Sequence, residues 1–533
     1  MVVTQPVPKE PDMPKPRFMY YHDGRHPHIY RYEPPMLKEE YWACIDELVG
    51  TPIDAVSFCL GEGRTVLHDT KVGELLGHNV AQWDHPVFRR AYQNAKHLID
   101  EGNDPMRLVC ERAHHRGMSL YGCLLIQNPG PENCTVRCSD FRHNNPHLEI
   151  RAAGDLGPDT LWIDGLDFKH PEVRDERFNL IEETLNEYDT DGFELQFNFL
   201  PRFFHPNEVD VGVKIMTEWV ARVYEAVKKS GSDHELVVRV PIDFPTSLSV
   251  GLDVAEWIKR GIVDVVVPEL FTGPHRVDPN LDFTPMLAAA RSADCRILPA
   301  LHSRVGSDRI AEGPIEMIRA QACNYWAQGI DGLYICQWFH HWPFEADFYE
   351  RLRELPYPDL MANKDKYYYI PSTLGAHLET HSPPLLPVRC EVGKPTEVNF
   401  AISDDLPRWH AAGRVHDVLL RIGVSGNTEL DRVTFKLNSK ELTGARRINQ
   451  LYRMDAPRHR TGPSYWHIFR PDPDTWPIKG RNTLTVELHQ RDTAMLGDVS
   501  LSDVELEIKY LKGKHFQRGY VDSDLGYYEY SSM

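Results

Sequence analysis

Two carboxylates stand where strands of a barrel would deliver them to one pocket. Glu194 lies in Asp191-Gly-Phe-Glu194-Leu-Gln196-Phe-Asn198. This stretch opens on an Asp-Gly turn and then alternates apolar and polar residues with period 2, the mark of a strand with two unlike faces. Phe193, Leu195 and Phe197 make one face, and Glu194, Gln196 and Asn198 the other. Three inward polar groups are costly to desolvate unless they meet partners or a substrate. Glu269 ends the apolar run Val265-Val-Val-Pro268. Two carboxylates on different strands are what glycosidic cleavage needs: one protonates the leaving oxygen, the other acts as base or nucleophile. The competing expectation is structural, each carboxylate pairing with an inward arginine such as Arg239.

Further candidates end other strand-like runs. Asp23, in His22-Asp23-Gly24, and His302 are reserve acid/base groups. Asp23 also suits an Asx turn before Gly24, and Asp243 a similar turn before Phe244-Pro245. Trp338 and His340, in Trp338-Phe-His340-His-Trp342, would floor a sugar site with aromatic surface or simply cap the barrel. Arg202 follows the Glu194 strand and would orient a carboxylate or hydroxyl. His22, Gln196, Asn198, Arg239, Asp243, Arg142 and His143 complete the expected substrate contacts. One variant is an inverting, sialidase-like hydrolase that pairs Asp23 with His143 or His147. It suits an acidic sugar whose carboxylate meets Arg137, Arg142 and Arg202. No Gly-x-Ser-x-Gly elbow and no His-Glu-x-x-His occur. His22, Asp23, Asp243 and His302 would alternatively make a metal centre, although His26-Pro-His28 puts its His-x-His in a loop. Cys134, Cys138, His143 and His147 offer a second zinc set, at a spacing that matches no common zinc pattern. The expectation is no cofactor and no metal.

These residues need a scaffold. Eight β-rich runs fall between 18 and 339: 18–22, 55–60, 119–127, 192–198, 235–242, 263–271, 296–302 and 332–339. Helical patterns fill most intervals, at 86–116, 171–188, 209–229, 254–260, 285–293 and 313–328. Such alternation predicts a (β/α)8 TIM barrel over 18–355. No Gly-rich phosphate loop follows a strand, which disfavours a doubly wound sheet. The insertion 128–165, rich in arginine and histidine, is expected to fold over the site. Residues 1–17 read as an arm, 356–385 as a linker, 386–512 as an all-β sandwich that buttresses the barrel or binds carbohydrate, and 513–533 as a tail.

The chain has 533 residues, 41 % apolar and 26 % charged, as in a folded multidomain protein. A net charge of −19 excludes a nucleic-acid partner and disfavours an anionic polymer unless basic residues cluster in a cleft. There is no apolar run of membrane-spanning length and no secretory h-region as the sequence stands. Cys59, Cys123 and Cys336 lie in apolar runs, as buried thiols of a reducing, cytoplasmic compartment would. The tail and sandwich make a homodimer an expectation.

Leu166-Asp-Phe-Lys-His170-Pro171-Glu172-Val173-Arg174 resembles the Leu-x-x-x-His-Pro-Glu-Val-Arg segment of bacterial glycosyl-hydrolase-like family 10 barrels. Asn145-Pro146-His147-Leu148 is similar to the family's His-Pro-Glu-Trp element, and the Glu194 strand to its Asp-Gly-Ile-x-Leu-Asp strand. The resemblance covers roughly 18–345 and implies a (β/α)8 barrel acting on glycosidic bonds. The same strand is similar to the Asp-Gly-x-Asp-x-Asp-x-Glu pattern of chitinase-like barrels. Here Gln196 replaces the expected Asp and Asn198 the final acid, so neither family's acid carries over. Glu194 stands in as acid, with Glu269 as nucleophile or base. A non-catalytic carbohydrate-binding barrel and a metal-dependent hydrolase remain the alternatives.

Overall fold

The computed structural model describes residues 15–128, 130, 135–157, 160–270, 277–305, 311–335, 346–371, 385–449, 465–513, 521–522 and 526–527. Strands β1 (Phe18–His22), β2 (Ala55–Glu62), β3 (Ser119–Leu125), β4 (Gly192–Gln196), β5 (Glu235–Pro241) and β6 (Val265–Glu269) pair in parallel and in chain order. β7 comes in two pieces, Arg296–Ile297 on β6 and Ala300–Leu301 on β8 (Leu333–Ile335). β8 then pairs with β1, Phe18 opposite Leu333, and the ring closes. The break in β7 falls at Pro299, which has no N–H to give a ladder. Leu298 N–H still bonds Val266 O at 3.0 Å, and Pro299 O accepts from Tyr334 N at 3.1 Å, so the strand changes neighbour at the proline.

Alternation along the strands builds two cores. Met19, Tyr21, Cys59, Cys123, Val237, Val265, Val267 and Tyr334 fill the barrel interior. Phe193, Leu195 and Phe197 face outward with Val238 and Val266 into the larger core beneath the helices. The 86–116 helical pattern resolves into two helices, Pro86–Asp100 and Pro105–His115. Gly102, at φ +74°, breaks the first, and the Asp104 carboxylate caps the second by accepting from Met106 N. Among the described residues no helix is long and apolar enough to cross a membrane.

The second unit is a two-sheet sandwich. One sheet orders β9 (Lys366–Tyr369), β17 (Val499–Tyr510), β12 (Val415–Ser425), β15 (Tyr465–Phe469) and β14 (Arg446–Asn449), with β10 (Val388–Cys390) also on β17. The other orders β11 (Pro395–Ile402), β16 (Gly480–Gln490) and β13 (Arg432–Leu437), edged by Lys440–Glu441. β9 falls inside the stretch read as a linker. Its polar and aromatic residues hide a strand because Lys366 is buried against Asp404, at 2.9 Å. A short helix, Leu406–Ala411, interrupts the all-β pattern. Asn324, on the barrel helix Ile315–Ala327, donates to Ala401 O at 2.8 Å and joins the two units.

Candidate active site

β4 delivers Glu194 to the middle of the barrel rather than to its rim. Its side chain is fully buried. Ser57 Oγ on β2 and Tyr334 OH on β8 each donate to its Oε2 at 2.5 Å. Arg239 Nε on β5 lies 3.0 Å from its Oε1. The same nitrogen lies 3.8 Å from Glu269 Oε2, so one buried guanidinium serves both carboxylates. The Tyr21 ring covers that guanidinium at 4.2 Å and Tyr334 at 5.2 Å. Burial pushes the Tyr334 phenol well above its usual value, which keeps it a donor to Glu194. Glu194 thus has the surroundings of a carboxylate that holds Arg239, the structural alternative that the sequence left open.

Nearer the C-terminal mouth, His302 Nε2 after β7 lies 3.0 Å from Glu269 Oε1 at the end of β6. Asn198, just past β4, is fully buried, and neither amide atom has a hydrogen-bond partner among the described residues. Gln196 is buried below it, with Cys123 Sγ 3.9 Å from its Oε1. On the β1 side, Asp23 Oδ1 accepts from Arg25 at 2.8 Å and from Tyr21 OH at 3.5 Å. Burial raises the Asp23 carboxyl, but Arg25 and His26 outweigh it and hold the group below the usual carboxylate value. Arg25 reaches on to Glu62 at 2.9 Å, and Arg137 from the insertion closes on the same Glu62 oxygen. Asp23 is therefore an ion-pair member, not an Asx-turn residue.

The remaining candidates scatter. His22 stacks on Phe58 at 5.2 Å, and burial lowers its pKa to about 3, so it stays neutral. Asp243 caps the helix Phe244–Ser249 through Thr246 N. The two therefore do not combine with Asp23 and His302 into one ligand set. Arg202 Nε donates to Leu161 O and pins the insertion. Within the insertion Arg142 is buried, His143 half-buried and His147 exposed. Trp338, His340, Cys134 and Cys336 lie outside the described residues. Cys138 is buried. Among the described residues one trio gathers metal-type ligands, Glu74 and His78 with Asp140 of the insertion.

The His170-Pro-Glu-Val-Arg174 segment starts a helix, Pro171–Glu187. Arg174 clamps its first turn by donating to Lys169 O at 2.9 Å, and its own carbonyl accepts from Trp219 at 3.0 Å. Ser57, Tyr334, Tyr21, Asn128 and Arg177 escaped the sequence reading. Ser57 alone carried a visible signal, one hydroxyl inside an apolar strand.

No protein-family model matches the chain, and no curated protein sequence does. Solved structures similar to it include glycoside hydrolases, and they do not single out the family 10 type. One is a cycloisomaltooligosaccharide glucanotransferase of a Paenibacillus species (10 % identity, TM-score 0.33, 92 % of this chain, 57 % of that one). Another is α-L-fucosidase isoenzyme 2 from Paenibacillus thiaminolyticus (12 %, 0.41, 65 % and 49 %). A third is the PgaB glycoside hydrolase domain from Bordetella bronchiseptica (13 %, 0.40, 64 % and 99 %). The match spans only about half the length of the first two. The barrel assignment rests on the strand pairing above, not on these likenesses.

Proposed function

We propose that the chain hydrolyses a glycosidic bond at the C-terminal mouth of its barrel. In this reading Asp23 is the anionic partner and the Glu269–His302 couple the proton donor. One observation carries it: a carboxylate lies 3.0 Å from an imidazole on neighbouring strand ends, in a mouth where the buried amide of Asn198 has no partner among the described residues. Asp23, held below the usual range, is anionic near neutral pH. It is suited to act as base or nucleophile, or to stabilise positive charge at the anomeric carbon, and not to donate a proton. The carboxyl and the ring, 3.0 Å apart, would together pass a proton to the leaving oxygen. Asn198 offers one donor face and one acceptor face, the complement of a sugar hydroxyl. Glu194 would hold Arg239 in place and would not touch the sugar.

The test is hydrolysis of a panel of aryl-glycosides, sialosides included, by wild type, Asp23→Asn and Glu269→Gln, with and without EDTA. Turnover lost in both variants and indifferent to EDTA supports the reading. Undiminished turnover by Glu269→Gln rejects it, and loss with EDTA alone moves the chemistry to a metal. A second reading, sugar binding without turnover, draws on the two amides, Gln196 and Asn198, at the end of the Glu194 strand. Saturable glycan binding with a silent panel would select it.

A further inference from the structure

The mouth is flanked, above β1 to β3, by arginines to which the proposed bond cleavage gives no contact with the sugar. Arg25 and Arg137 share Glu62. Arg142 Nη1 and Arg177 Nη2 converge on Asn128 Oδ1 at 3.4 and 3.3 Å. Each carboxylate facing this belt has an arginine or backbone partner on one oxygen, while Glu62 Oε2 and Glu176 Oε1 have none among the described residues. Asp23 is held by Arg25 and Glu176 by Arg177, while Glu149 takes Arg151 at 2.7 Å and stays 3.6 Å from Arg142. Asp164 accepts from Gly130 N at 2.7 Å.

On the arginines themselves, donor capacity remains. Arg142 is 1 % exposed, and among the described residues its Nε and Nη2 have no hydrogen-bond partner; Nε of Arg137 and of Arg25 are likewise unpartnered there. Buried guanidinium N–H groups left this way are costly, and a planar oxyanion is what relieves them. The cations also strain against one another. Burial first, and then repulsion from Arg25, lowers Arg137 to about 10. Burial with repulsion from Arg142 and Arg64 lowers Arg177 to about 9. The net charge of −19 disfavours anionic ligands over the surface at large, so a local cluster of cations marks where one would enter.

We infer that Arg142, with Arg137 and Arg25, forms a carboxylate subsite beside the mouth, and that the sugar taken there is a sugar acid. This rests on the glycosidic reading for its setting but not for its test. Arg202, expected in this role, belongs elsewhere, since it binds Leu161 O.

The experiment is calorimetric titration of the full chain with D-glucuronate, N-acetylneuraminate, D-glucose, methyl D-glucuronate (the ester) and acetate. At least one sugar acid should bind tenfold or more tightly than glucose, the ester and acetate. That preference should fall about tenfold in Arg142→Gln and in Arg137→Gln. Arg137 is partly exposed, so its variant decides the matter where Arg142→Gln loses its fold by circular dichroism. Equal binding of glucose and both acids, equal binding of acetate, or unchanged sugar-acid affinity in Arg137→Gln overturns the subsite. Binding of a sugar acid with a silent hydrolysis panel would keep the subsite and reject hydrolysis. Turnover of neutral glycosides with no preference for sugar acids would do the reverse.

Discussion

Glu194→Gln separates the two roles open to the carboxylate at the barrel's centre. Arg239 is fully buried, 3.0 Å from Glu194 and 3.8 Å from Glu269. The substitution keeps the side chain's shape and removes the nearer counter-charge. Breaking a buried pair by deleting one partner costs roughly 3–5 kcal/mol. Glu269 still faces the guanidinium and glutamine still accepts from Ser57 or Tyr334, so the loss should fall near the lower end, about 3 kcal/mol. In a domain of this size that lowers the thermal midpoint by roughly 5 °C. Arg239→Met alone should also destabilise, by stranding both carboxylates. The double variant should recover about 2 kcal/mol relative to the sum of the single losses, the mark of a shared interaction. The assay is urea unfolding followed by tryptophan fluorescence, run beside turnover of whichever glycoside the panel identifies. If Glu194→Gln unfolds within about 0.5 kcal/mol of wild type while turnover disappears, Glu194 does chemistry and the structural assignment fails.

Three other outcomes follow from buried charges. Burial lowers His28 and His68 to about 4. Each stays neutral in the fold while the unfolded chain takes up a proton below about pH 6.5, so stability falls as pH drops from 6.5 towards 4. At pH 5 the loss is about 2 kcal/mol per histidine. Urea unfolding of His68→Phe at pH 7 and pH 5 should show that increment removed; an unchanged pH slope would refute it. In the sandwich, Asp404 is paired with buried Lys366 and accepts from Tyr368 at 2.5 Å and Tyr510 at 2.6 Å. Asp404→Ala should destabilise that unit by roughly 3–5 kcal/mol, read as a lowered calorimetric transition; an unmoved transition counts against the pair. Because Asp23 is held below the usual carboxylate value, its contribution to kcat/KM is present above that value and lost only as pH falls through the lowered one. The acid limb should therefore lie below about pH 4, and an acid limb at pH 5–6 would assign it to another group.

The architecture was legible because period 2 and period 3.6 are strong signals over long segments. All eight barrel runs became strands: 18–22 as read, 55–60 extended to Glu62, the seventh split in two, and 332–339 described only as far as Ile335. Local chemistry that acts against the pattern stayed hidden. The 86–116 run keeps its helical spacing across Gly102, so only that glycine and the capping Asp104-Pro105 mark the division. Lys366-Tyr-Tyr-Tyr369 looked like a linker because a buried lysine is a poor strand signal until its partner Asp404 is known. The site was legible as a set of strand ends and illegible as a network. Sequence gives the face on which Glu194 lies, but not its depth, nor that Ser57, Tyr334 and Arg239 from three other strands converge on it.

That convergence bears on how the chemistry must be arranged. A barrel interior has room for a few large side chains, and here Arg239, Tyr21 and Tyr334 occupy its middle. A guanidinium there needs negative charge close by, since unpaired it would be strongly destabilising. Glu194 supplies that charge, and in doing so is unsuited to give or take a proton from a substrate. Glu269 feels the same cation from 3.8 Å, but His302 at the strand end keeps it in contact with the mouth. The proposed cleavage accordingly uses groups higher up, Glu269, His302 and Asp23, while amides stand at Gln196 and Asn198, where the strand patterns this stretch resembles carry acids. Restoring an acid at one of these positions, Asn198→Asp, tests this division directly. A new carboxylate there should raise turnover if the amide is only a remnant, and should lower it if the amide holds a sugar hydroxyl beside the Glu269–His302 couple.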